Sequence, residues 1–358
     1  MGFQKKPKIE EIAMEKPEPP QSMAEKFKSL LALGKKLNTK YDTTNALVRL
    51  GDKAGHLLPS ITTGLPTFDY GVIGTGGIPK GRIVEIFGPE SAGKTSFTLH
   101  VIAQCQAAGG VAAFVDAEHA LDPSWAATLG VDVEKLVVSQ PDSGEQALDT
   151  VDELVESQAV DLIVVDSVSA LVPEAELAGD IGDAHVGLQA RLLSQAMRIL
   201  TGKCSKNKVT VIFINQLRTN IGVMYGNPET TSGGRALRFY SSVRIDVRRK
   251  EEIKQGNDLI GHSIRLKAAK NKCGVPFKEA LVELYYYRGF DKEASLIEYA
   301  DSLGIFEKKG SWFVMDGANV ANGLPAMKAL LKSDPLALAK VKASVEKKIV
   351  EGPEKVGI

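Results

Sequence analysis

The stretch IVEIFGPESAGKTSFTLHVIAQCQA at residues 83–107 decides the fold. Its first five residues form an almost unbroken apolar run, typical of a strand buried on both faces of a parallel sheet. Residues 88–95 then match the pattern G-x-x-x-x-G-K-S/T, and a helical stretch follows directly. A strand, a glycine-rich turn and a helix in this order predict a phosphate-binding loop in an α/β protein.

The chemistry of this turn suits a nucleoside triphosphate. Gly88 and Gly93 allow a tight loop whose backbone N–H groups point at phosphate, at a helix N-terminus that favours anions. Lys94 would reach the β- and γ-phosphates, and the Thr95 hydroxyl would ligate Mg²⁺. We therefore predict ATP and Mg²⁺ as cofactors. The predicted contacts cover the whole loop: Gly88, Pro89, Glu90, Ser91, Ala92, Gly93, Lys94 and Thr95.

Further apolar runs and helical periods follow the loop. They predict a mainly parallel sheet covered on both faces, extended by a later pair of strands. The predicted strands are 83–87, 111–115, 162–165, 209–214, 263–269 and 280–287, and the predicted helices are 95–108, 144–157, 292–302, 324–331 and 335–350.

Polar side chains stand where these strands end. Asp166 follows an apolar run and would hold Mg²⁺ through water, although an aspartate in this position is also a common helix cap. Glu118, two residues beyond Asp116, is the candidate for orienting or deprotonating the attacking water. Gln216 could contact a γ-phosphate and report its presence; an ordinary polar strand terminus is the alternative.

Two glycine-rich segments, 177–187 and 217–235, are candidates for binding nucleic acid, and we expect the first to be mobile. Apolar side chains in such a loop suggest insertion between bases, worth about 1–3 kcal/mol per base, while arginines and backbone amides hold phosphates. The predicted contacts are Arg191, Arg198, Arg218, Ile221, Val223, Met224, Tyr225, Gly233 and Gly234. On residue chemistry alone, a lid or a protein interface is an equal alternative.

The N-terminal region is organised differently. Residues 1–21 mix Lys, Glu and Pro and predict a disordered tail, after which Ser22 and Glu25 form a capping box that opens an amphipathic helix. That helix could dock on its own core or on a neighbouring subunit. The predicted divisions are a tail (1–21), an oligomerisation helix with linker (22–54), a core (55–290) and a small C-terminal domain (291–358).

Composition excludes several classes of protein. The 44 basic residues balance the 44 acidic ones, so any DNA-binding argument must come from local charge. The three cysteines are far apart, with no histidine at metal-ligand spacing, which makes a zinc site or a disulfide framework improbable. The start of the chain lacks a signal peptide, and no apolar run is long enough to span a bilayer. We therefore expect a cytoplasmic protein with no membrane partner.

With these residues assembled, the sequence resembles the RecA family of bacterial and bacteriophage recombinases. The resemblance runs from about Met23 to at least Trp312. It rests on the strings GPESAGKT (88–95), DAEHALDP (116–123), VVDSVSAL (164–171), IGDAHVGLQAR (181–191), FINQLR (213–218), IGVMYGNPETTSGG (221–234) and KNK (270–272). It implies an α/β fold: a P-loop RecA-type ATPase core with a mainly parallel sheet, an N-terminal oligomerisation helix and a small C-terminal domain.

The resemblance also implies roles for individual residues. Glu118 resembles the catalytic carboxylate and Gln216 the γ-phosphate sensor. Lys270 and Lys272 match lysines that reach the ATP of the adjacent subunit, which would place the active site at an interface. Further implied positions are Trp125 and Tyr286 on the adenine side of the nucleotide site, Ser96 and Asp122 in the same site, Val186 at the DNA, and Arg238 and Phe239 between subunits.

The implied function is a DNA-dependent ATPase of recombination and repair. It would form a homo-oligomeric helical filament on single-stranded DNA and exchange strands with double-stranded DNA. A ring-forming, helicase-like motor stays open as an alternative, as does a filament that chiefly stimulates repressor self-cleavage, with repressor and mediator proteins as partners. Residues 322–358 carry net positive charge in place of the acidic tail of many members, which predicts easier loading onto duplex DNA.

Overall fold

The computed structural model describes residues 22–42, 46–47, 58–180, 185, 187–219 and 228–351. The chain divides into two units, residues 1–56 and 57–358. Within the described residues no helix combines the length and the apolar character needed to cross a membrane. The tail predicted over residues 1–21 lies outside the described part.

The first unit contains helix α1 (Met23–Tyr41). The predicted capping box is present, since the Ser22 side chain accepts from the Glu25 N–H and the Glu25 side chain accepts from the Ser22 N–H. The helix ends at Asp42, which adopts the left-handed conformation. Apolar side chains along α1 are about half exposed, and the docking of this helix on another subunit stays a prediction.

The second unit contains the β-strands and the remaining α-helices of the described residues. Its strands are β1 (Ser60–Ile61), β2 (Ile78–Pro79), β3 (Ile83–Gly88), β4 (Ala112–Asp116), β5 (Val137–Ser139), β6 (Leu162–Asp166), β7 (Thr210–Thr219), β8 (Glu229–Thr231), β9 (Val243–Gln255), β10 (Asp258–Asn271), β11 (Glu279–Tyr285), β12 (Gly289–Phe290), β13 (Glu307–Lys309), β14 (Trp312–Met315) and β15 (Ala318–Asn322). Its α-helices are α2 (Lys94–Ala107), α3 (Pro123–Thr128), α4 (Gly144–Ser157), α5 (Glu174–Leu177), α6 (Leu188–Asn207), α7 (Ala236–Tyr240), α8 (Lys292–Ser302), α9 (Gly323–Ser333) and α10 (Pro335–Glu351).

One sheet organises this unit, with the strand order β12-β11-β10-β9-β3-β7-β6-β4-β5 and β8 attached to β7. From β9 to β5 every neighbouring pair is parallel, whereas β10, β11 and β12 join antiparallel. The predicted mainly parallel α/β fold is therefore confirmed. The helices between the strands supply the crossovers that parallel neighbours need.

Both faces of the parallel strands are covered. Successive residues of a strand point to opposite faces, so Val84 and Ile86 pack in one core cluster with α2, and Ile83 packs in another with α4 and α6. Every residue of β3, β4 and β6 is buried. This explains why these strands are nearly continuous apolar runs in the sequence.

The antiparallel part of the sheet differs from the prediction, since β9 was not predicted and β10 is longer than the predicted strand 263–269. Strands β9 and β10 have 13 and 14 residues and form a hairpin that turns at Gly256, whose φ is 62°. The outer half of β9 reads RRKEEIKQ (248–255) and is largely exposed. Because backbone pairing rather than apolar burial holds this part together, hydrophobic pattern could not reveal it.

The C-terminal region contains three strands that we did not predict. Strands β13, β14 and β15 form a separate sheet that packs with α8, α9 and α10 around a core including Phe313, Met327 and Val341. The strands have three, four and five residues, and Gly310 and Gly317 mark the turns between them. Strands this short carry too little periodicity to be recognised in one sequence.

Candidate active site

The parallel register gathers the polar strand ends at one edge of the sheet. Strand β3 ends at Gly88, which lies beside Gln216 of β7, and Asp116 of β4 lies beside Asp166 of β6. Helix α2 begins at Lys94, directly after the phosphate-binding loop. The carboxyl ends of parallel strands are where α/β proteins bind ligands, so the fold places the predicted residues at the expected edge.

Two loop glycines are required by close packing. A Cβ atom on Gly88 would lie 2.1 Å from the carbonyl oxygen of Val247, and one on Gly93 would lie 2.5 Å from Cδ1 of Ile264. Gly93 also has a φ of 92°, which favours glycine. The loop is thus seated directly on β9 and β10: the Val247 backbone excludes a side chain at Gly88, and the positive φ favours glycine at Gly93.

Lys94 lies folded over this loop. Its Nζ donates hydrogen bonds to the carbonyl oxygens of Gly88 and Pro89, at 3.2 and 2.7 Å. Burial lowers the pKa of the amine, and the carboxylates of Asp166 and Glu118 oppose that shift. A cation held among carboxylates and loop carbonyls is suited to receive a phosphate group.

Thr95 and Asp166 form a candidate Mg²⁺ position. The Thr95 hydroxyl donates to Oδ2 of Asp166 across 2.6 Å. Burial raises the pKa of Asp166 to about 6, and the nearby Glu118 carboxylate adds to the increase. Among the described residues no cluster of three or more His, Cys, Asp or Glu could hold a metal. The oxygens present fit Mg²⁺ that takes its other ligands from phosphate and water.

Glu118 and Gln216 meet in this site. The loop after β4 turns back on β6, because the N–H groups of Ala117 and Glu118 donate to the carbonyl oxygen of Asp166. This places Oε1 of Glu118 where it accepts a hydrogen bond from Nε2 of Gln216 at 2.9 Å and another from the hydroxyl of Ser167. Sequence reasoning did not single out Ser167, although it directly follows Asp166.

Asp116 has a structural role here. Its carboxylate is buried and accepts hydrogen bonds from the N–H groups of Ala120 and Leu121 and from the side chain of Gln140. These bonds fix the turn that carries Glu118.

The two predicted adenine-side residues lie on different elements. Trp125 in α3 donates from Nε1 to the hydroxyl of Ser96, at 3.1 Å, so its ring is held beside the first turn of α2. Asp122 caps α3 by accepting from the Ser124 N–H at 2.8 Å. Tyr286 is 40% exposed, and its hydroxyl lies 3.3 Å from Nδ1 of His262.

Comparison with known proteins identifies the family. The family model of the RecA N-terminal domain matches residues 29–291, and the family model of the RecA C-terminal domain matches residues 294–350. The chain belongs to the RecA family. The resemblance inferred from the sequence strings is therefore confirmed, and the RecA family is one of homologous recombination and DNA repair.

Individual relatives are similar over most of their length. Protein RecA of Chloroherpeton thalassium is 51% identical over 326 residues, which cover 91% of each chain. Protein RecA of Heliobacterium modesticaldum is 50% identical over 326 residues, 90% of this chain and 94% of that protein. A crystal structure of the RadB recombinase is 19% identical, with a TM-score of 0.49 over 64% of this chain and 98% of that one.

Lys270 and Lys272, which we predict to reach the ATP of the adjacent subunit, lie at the end of β10 and just beyond it. The Lys270 amine donates to the carbonyl oxygens of Arg238 and Phe239 in α7, at 2.7 and 3.0 Å. Burial, with the positive charges of Lys272 and Arg244, lowers the pKa of Lys270 to about 8. The Phe239 side chain is 64% exposed. The structure thus groups Lys270 with Arg238 and Phe239.

The predicted DNA-binding residues of this RecA-family chain are only partly described. Arg191 and Arg198 are exposed on α6, and Nε of Arg218 donates to the hydroxyl of Ser232 at 3.4 Å. Five of the predicted residues lie outside the described part of the chain: Val186, Ile221, Val223, Met224 and Tyr225.

Gly233 and Gly234 pack against α6. A Cβ atom on Gly233 would lie 2.2 Å from Cδ1 of Leu193, and one on Gly234 would lie 2.9 Å from Cβ of Ala190. Both glycines have positive φ angles. Close packing therefore accounts for glycine at these positions, and their contact with phosphate stays a prediction.

Proposed function

We propose that the chain is a DNA-dependent ATPase that forms a helical filament on single-stranded DNA and catalyses homologous pairing and strand exchange with double-stranded DNA. The observation that carries this proposal is the position of Gln216. Its side chain contacts the candidate catalytic carboxylate of Glu118, and it directly precedes the segment 217–235 that we predict to bind DNA.

The residues around the loop suit ATP with Mg²⁺. Lys94 would neutralise phosphate charge, Thr95 and Asp166 would hold the metal, and Trp125 and Tyr286 would pack on the adenine side. ATP bound with Mg²⁺ supplies the phosphoryl group whose transfer to water drives the cycle. Glu118 orients and deprotonates that water, since its carboxylate already accepts two hydrogen bonds that fix its direction.

Gln216 links nucleotide state to DNA. The γ-phosphate of ATP would offer the side-chain amide of Gln216 an acceptor of higher charge than the Glu118 carboxylate alone. The position of this amide would therefore depend on whether ATP is bound. A shift of Gln216 passes directly to its neighbour Leu217, which pairs with Thr231 in the short β7–β8 ladder. The presence of ATP would thereby be transmitted to the DNA-binding segment.

Lys270 and Lys272 would complete the site of the next subunit. Lys270 lies with Arg238 and the exposed ring of Phe239, a combination of charge and apolar surface that suits a subunit interface. Two added cations would stabilise charge that develops on the transferred phosphoryl group, as a finger supplied in trans does. A filament would therefore hydrolyse ATP faster than a lone subunit.

On the DNA side, Arg191, Arg198 and Arg218 would hold phosphates. The glycine-rich segments would supply sequence-tolerant contacts, which a search for homology requires. Since a bacterial chromosome or a replicating phage genome lies in the cytoplasm of the bacterium, we propose that this protein acts in the cytoplasm.

The decisive experiment combines ATP hydrolysis with strand exchange. We expect single-stranded DNA to stimulate hydrolysis, and a single-stranded circle to form joint molecules with homologous linear duplex. Electron microscopy of the same mixture should show helical filaments. Hydrolysis that is indifferent to DNA, or closed hexamers without filaments, would contradict the proposal and favour a ring-forming motor.

A further inference from the structure

A buried polar cluster lies directly beneath the phosphate-binding loop. It consists of Glu85 on β3, Asn215 on β7 and Arg244 on β9, which are 0%, 0% and 9% exposed. Glu85 and Arg244 are direct partners in the parallel β3–β9 ladder. The cluster therefore joins three adjacent strands of the sheet, and one of them ends in the loop itself.

The side-chain amide of Asn215 both donates and accepts hydrogen bonds. Its Nδ2 donates to Oε1 of Glu85 at 3.0 Å and to the carbonyl oxygen of Ser232 at 3.1 Å. Its Oδ1 accepts from the N–H of Gln216 at 2.9 Å. Since a carboxylate offers no donor, aspartate could accept from Gln216 but could not replace the two hydrogen bonds that Nδ2 donates.

These bonds place Asn215 at the base of the predicted DNA-binding segment. Gln216 precedes that segment and Ser232 closes its β7–β8 ladder, in which Leu217 to Thr219 pair with Thr231 to Glu229. One side chain therefore contacts both chain segments at the base of the ladder, next to the Leu217–Thr231 pair. Through Glu85 the same side chain is tied to the strand that carries the phosphate-binding loop.

The ion pair that anchors Asn215 is not explained by stability alone. Arg244 donates from Nε to Oε2 of Glu85, and its guanidinium lies 4.4 Å from the centroid of the Phe87 ring. Replacing a buried ion pair with apolar side chains of similar volume is often neutral or stabilising. Arg244 also faces Lys270 in the β9–β10 register, so the cluster adjoins the lysine assigned above to the neighbouring site.

We propose that Asn215, anchored by Glu85 and Arg244, is a positioning residue that couples Gln216 in the nucleotide site to both ends of the DNA-binding segment. This inference rests on the proposed function. Without Asn215, ATP would still bind and Glu118 would still be present. Nucleotide state would no longer be transmitted to DNA affinity, and DNA would no longer stimulate hydrolysis.

The test measures coupling in the full-length Asn215→Ala variant. The coupling is the ratio of two Kd values for a fluorescent oligo-dT strand, one with ADP and one with a non-hydrolysable ATP analogue. We expect this ratio to fall by about tenfold or more, a size typical of coupling between sites. Affinity for the same non-hydrolysable ATP analogue, measured without DNA, should stay within about twofold of wild type, whereas general loss of structure would weaken it.

The matched control is Asn207→Ala. Asn207 ends α6 and donates from Nδ2 to the carbonyl oxygen of Val155 at 2.9 Å, so the variant loses a comparable bond at the opposite edge of the sheet from the loop. Its coupling ratio should equal that of the wild type. A ratio in Asn215→Ala that matches the control overturns the inference.

A second variant covers the case in which Asn215→Ala does not fold. In the double variant Glu85→Met with Arg244→Met, Asn215 remains but its anchor is gone, and the same loss of coupling is expected. A retained ratio there also overturns the inference. A different result would contradict the proposed function: in the wild type, DNA would not stimulate hydrolysis and the bound nucleotide would not change the Kd for DNA. The wild-type measurement therefore distinguishes failure of the proposed function from failure of this inference.

Discussion

The Oε1 atom of Glu118 accepts a hydrogen bond from Nε2 of Gln216 across 2.9 Å, although 98 residues separate them in the chain. The contact arises because β4 pairs with β6 and β6 pairs with β7, all in parallel, so that their carboxyl ends meet at one edge. The candidate catalytic carboxylate and the candidate phosphate sensor are thus already in contact. A change at either one is felt by the other.

Replacing Glu118 with Gln should separate assembly from turnover. The amide oxygen can still accept the hydrogen bonds of Ser167 and Gln216, but the amide cannot take a proton from water. We expect kcat to fall by about 10²–10⁴-fold, with ATP-dependent filament assembly and strand pairing retained. Steady-state hydrolysis and electron microscopy measure the two effects. The control is Glu307→Gln, an exposed position on β13, and rapid hydrolysis by Glu118→Gln would refute the assignment.

Mixing two inactive variants should restore activity if Lys270 acts on the neighbouring site. Lys270→Ala keeps Glu118 but lacks the Lys270 amine, whereas Glu118→Gln supplies Lys270 but cannot hydrolyse ATP. In an equal, randomly mixed filament about a quarter of the sites would have both groups, so a comparable fraction of wild-type hydrolysis is expected. Replacing the second partner with a Glu118→Gln/Lys270→Ala double variant should give no rescue. Absence of rescue in the first mixture would place Lys270 in its own subunit's site or outside catalysis.

Salt dependence should reveal which arginines touch DNA phosphates. Each phosphate contact on a single strand contributes about 0.7 to the slope of log K against log salt concentration. We expect Arg198→Ala and Arg191→Ala each to make this negative slope less steep by about 0.7. Lys203→Ala is the control, because this lysine lies on the same helix but is paired with Asp152 and Glu156 at 2.7 and 2.9 Å. Unchanged slopes for both arginine variants would remove α6 from the DNA interface.

His100 should make stability depend on pH. This histidine is buried, one ring nitrogen lies 2.8 Å from the carbonyl oxygen of Thr63, and burial lowers its pKa to about 4 from 6.5. Between these values the unfolded chain binds the extra proton, so the stabilising contribution is complete above pH 6.5 and is lost as pH falls through 4. The free energy of unfolding, relative to His100→Gln, should fall by about 3 kcal/mol from pH 7.5 to pH 4.

Urea denaturation at a series of pH values measures this difference. Taking the wild type minus His100→Gln removes the contributions of other groups, including Asp69, whose pKa burial raises to about 6. The exposed His119→Gln variant should follow the wild-type curve. A difference that is constant from pH 7.5 to pH 4 would show that His100 does not titrate as its burial indicates.

Much of this site could be predicted because its residues follow buried strands. The loop at 88–95, Asp166 at the end of β6 and Gln216 in β7 all stand next to apolar runs, and parallel strands bring such ends together. The hydrogen bond between Thr95 and Asp166 is the kind of contact that this reasoning expects. Ser167 was missed because a serine after a strand has no distinguishing pattern.

Other features were invisible in the sequence. Glu85 lies 130 residues before Asn215 and 159 residues before Arg244 in the chain. In the sequence each of the three is an isolated polar residue in an apolar strand. Phosphate contact by Gly233 and Gly234 stays a prediction, but the sequence did not reveal that both have positive φ angles and pack against Leu193 and Ala190 of α6. Packing against a distant helix is not encoded in local pattern.

The sequence by itself predicted a phosphate-binding loop in a strand–turn–helix unit and determined that the core is a mainly parallel sheet, because loop chemistry and hydrophobic period are local properties. Its strings also identified the RecA family. Only the tertiary structure decided that Gln216 contacts Glu118, that Lys270 lies with α7 and that Asn215 joins three segments. These depend on strand order and register, through which residues distant in the chain come within hydrogen-bonding distance.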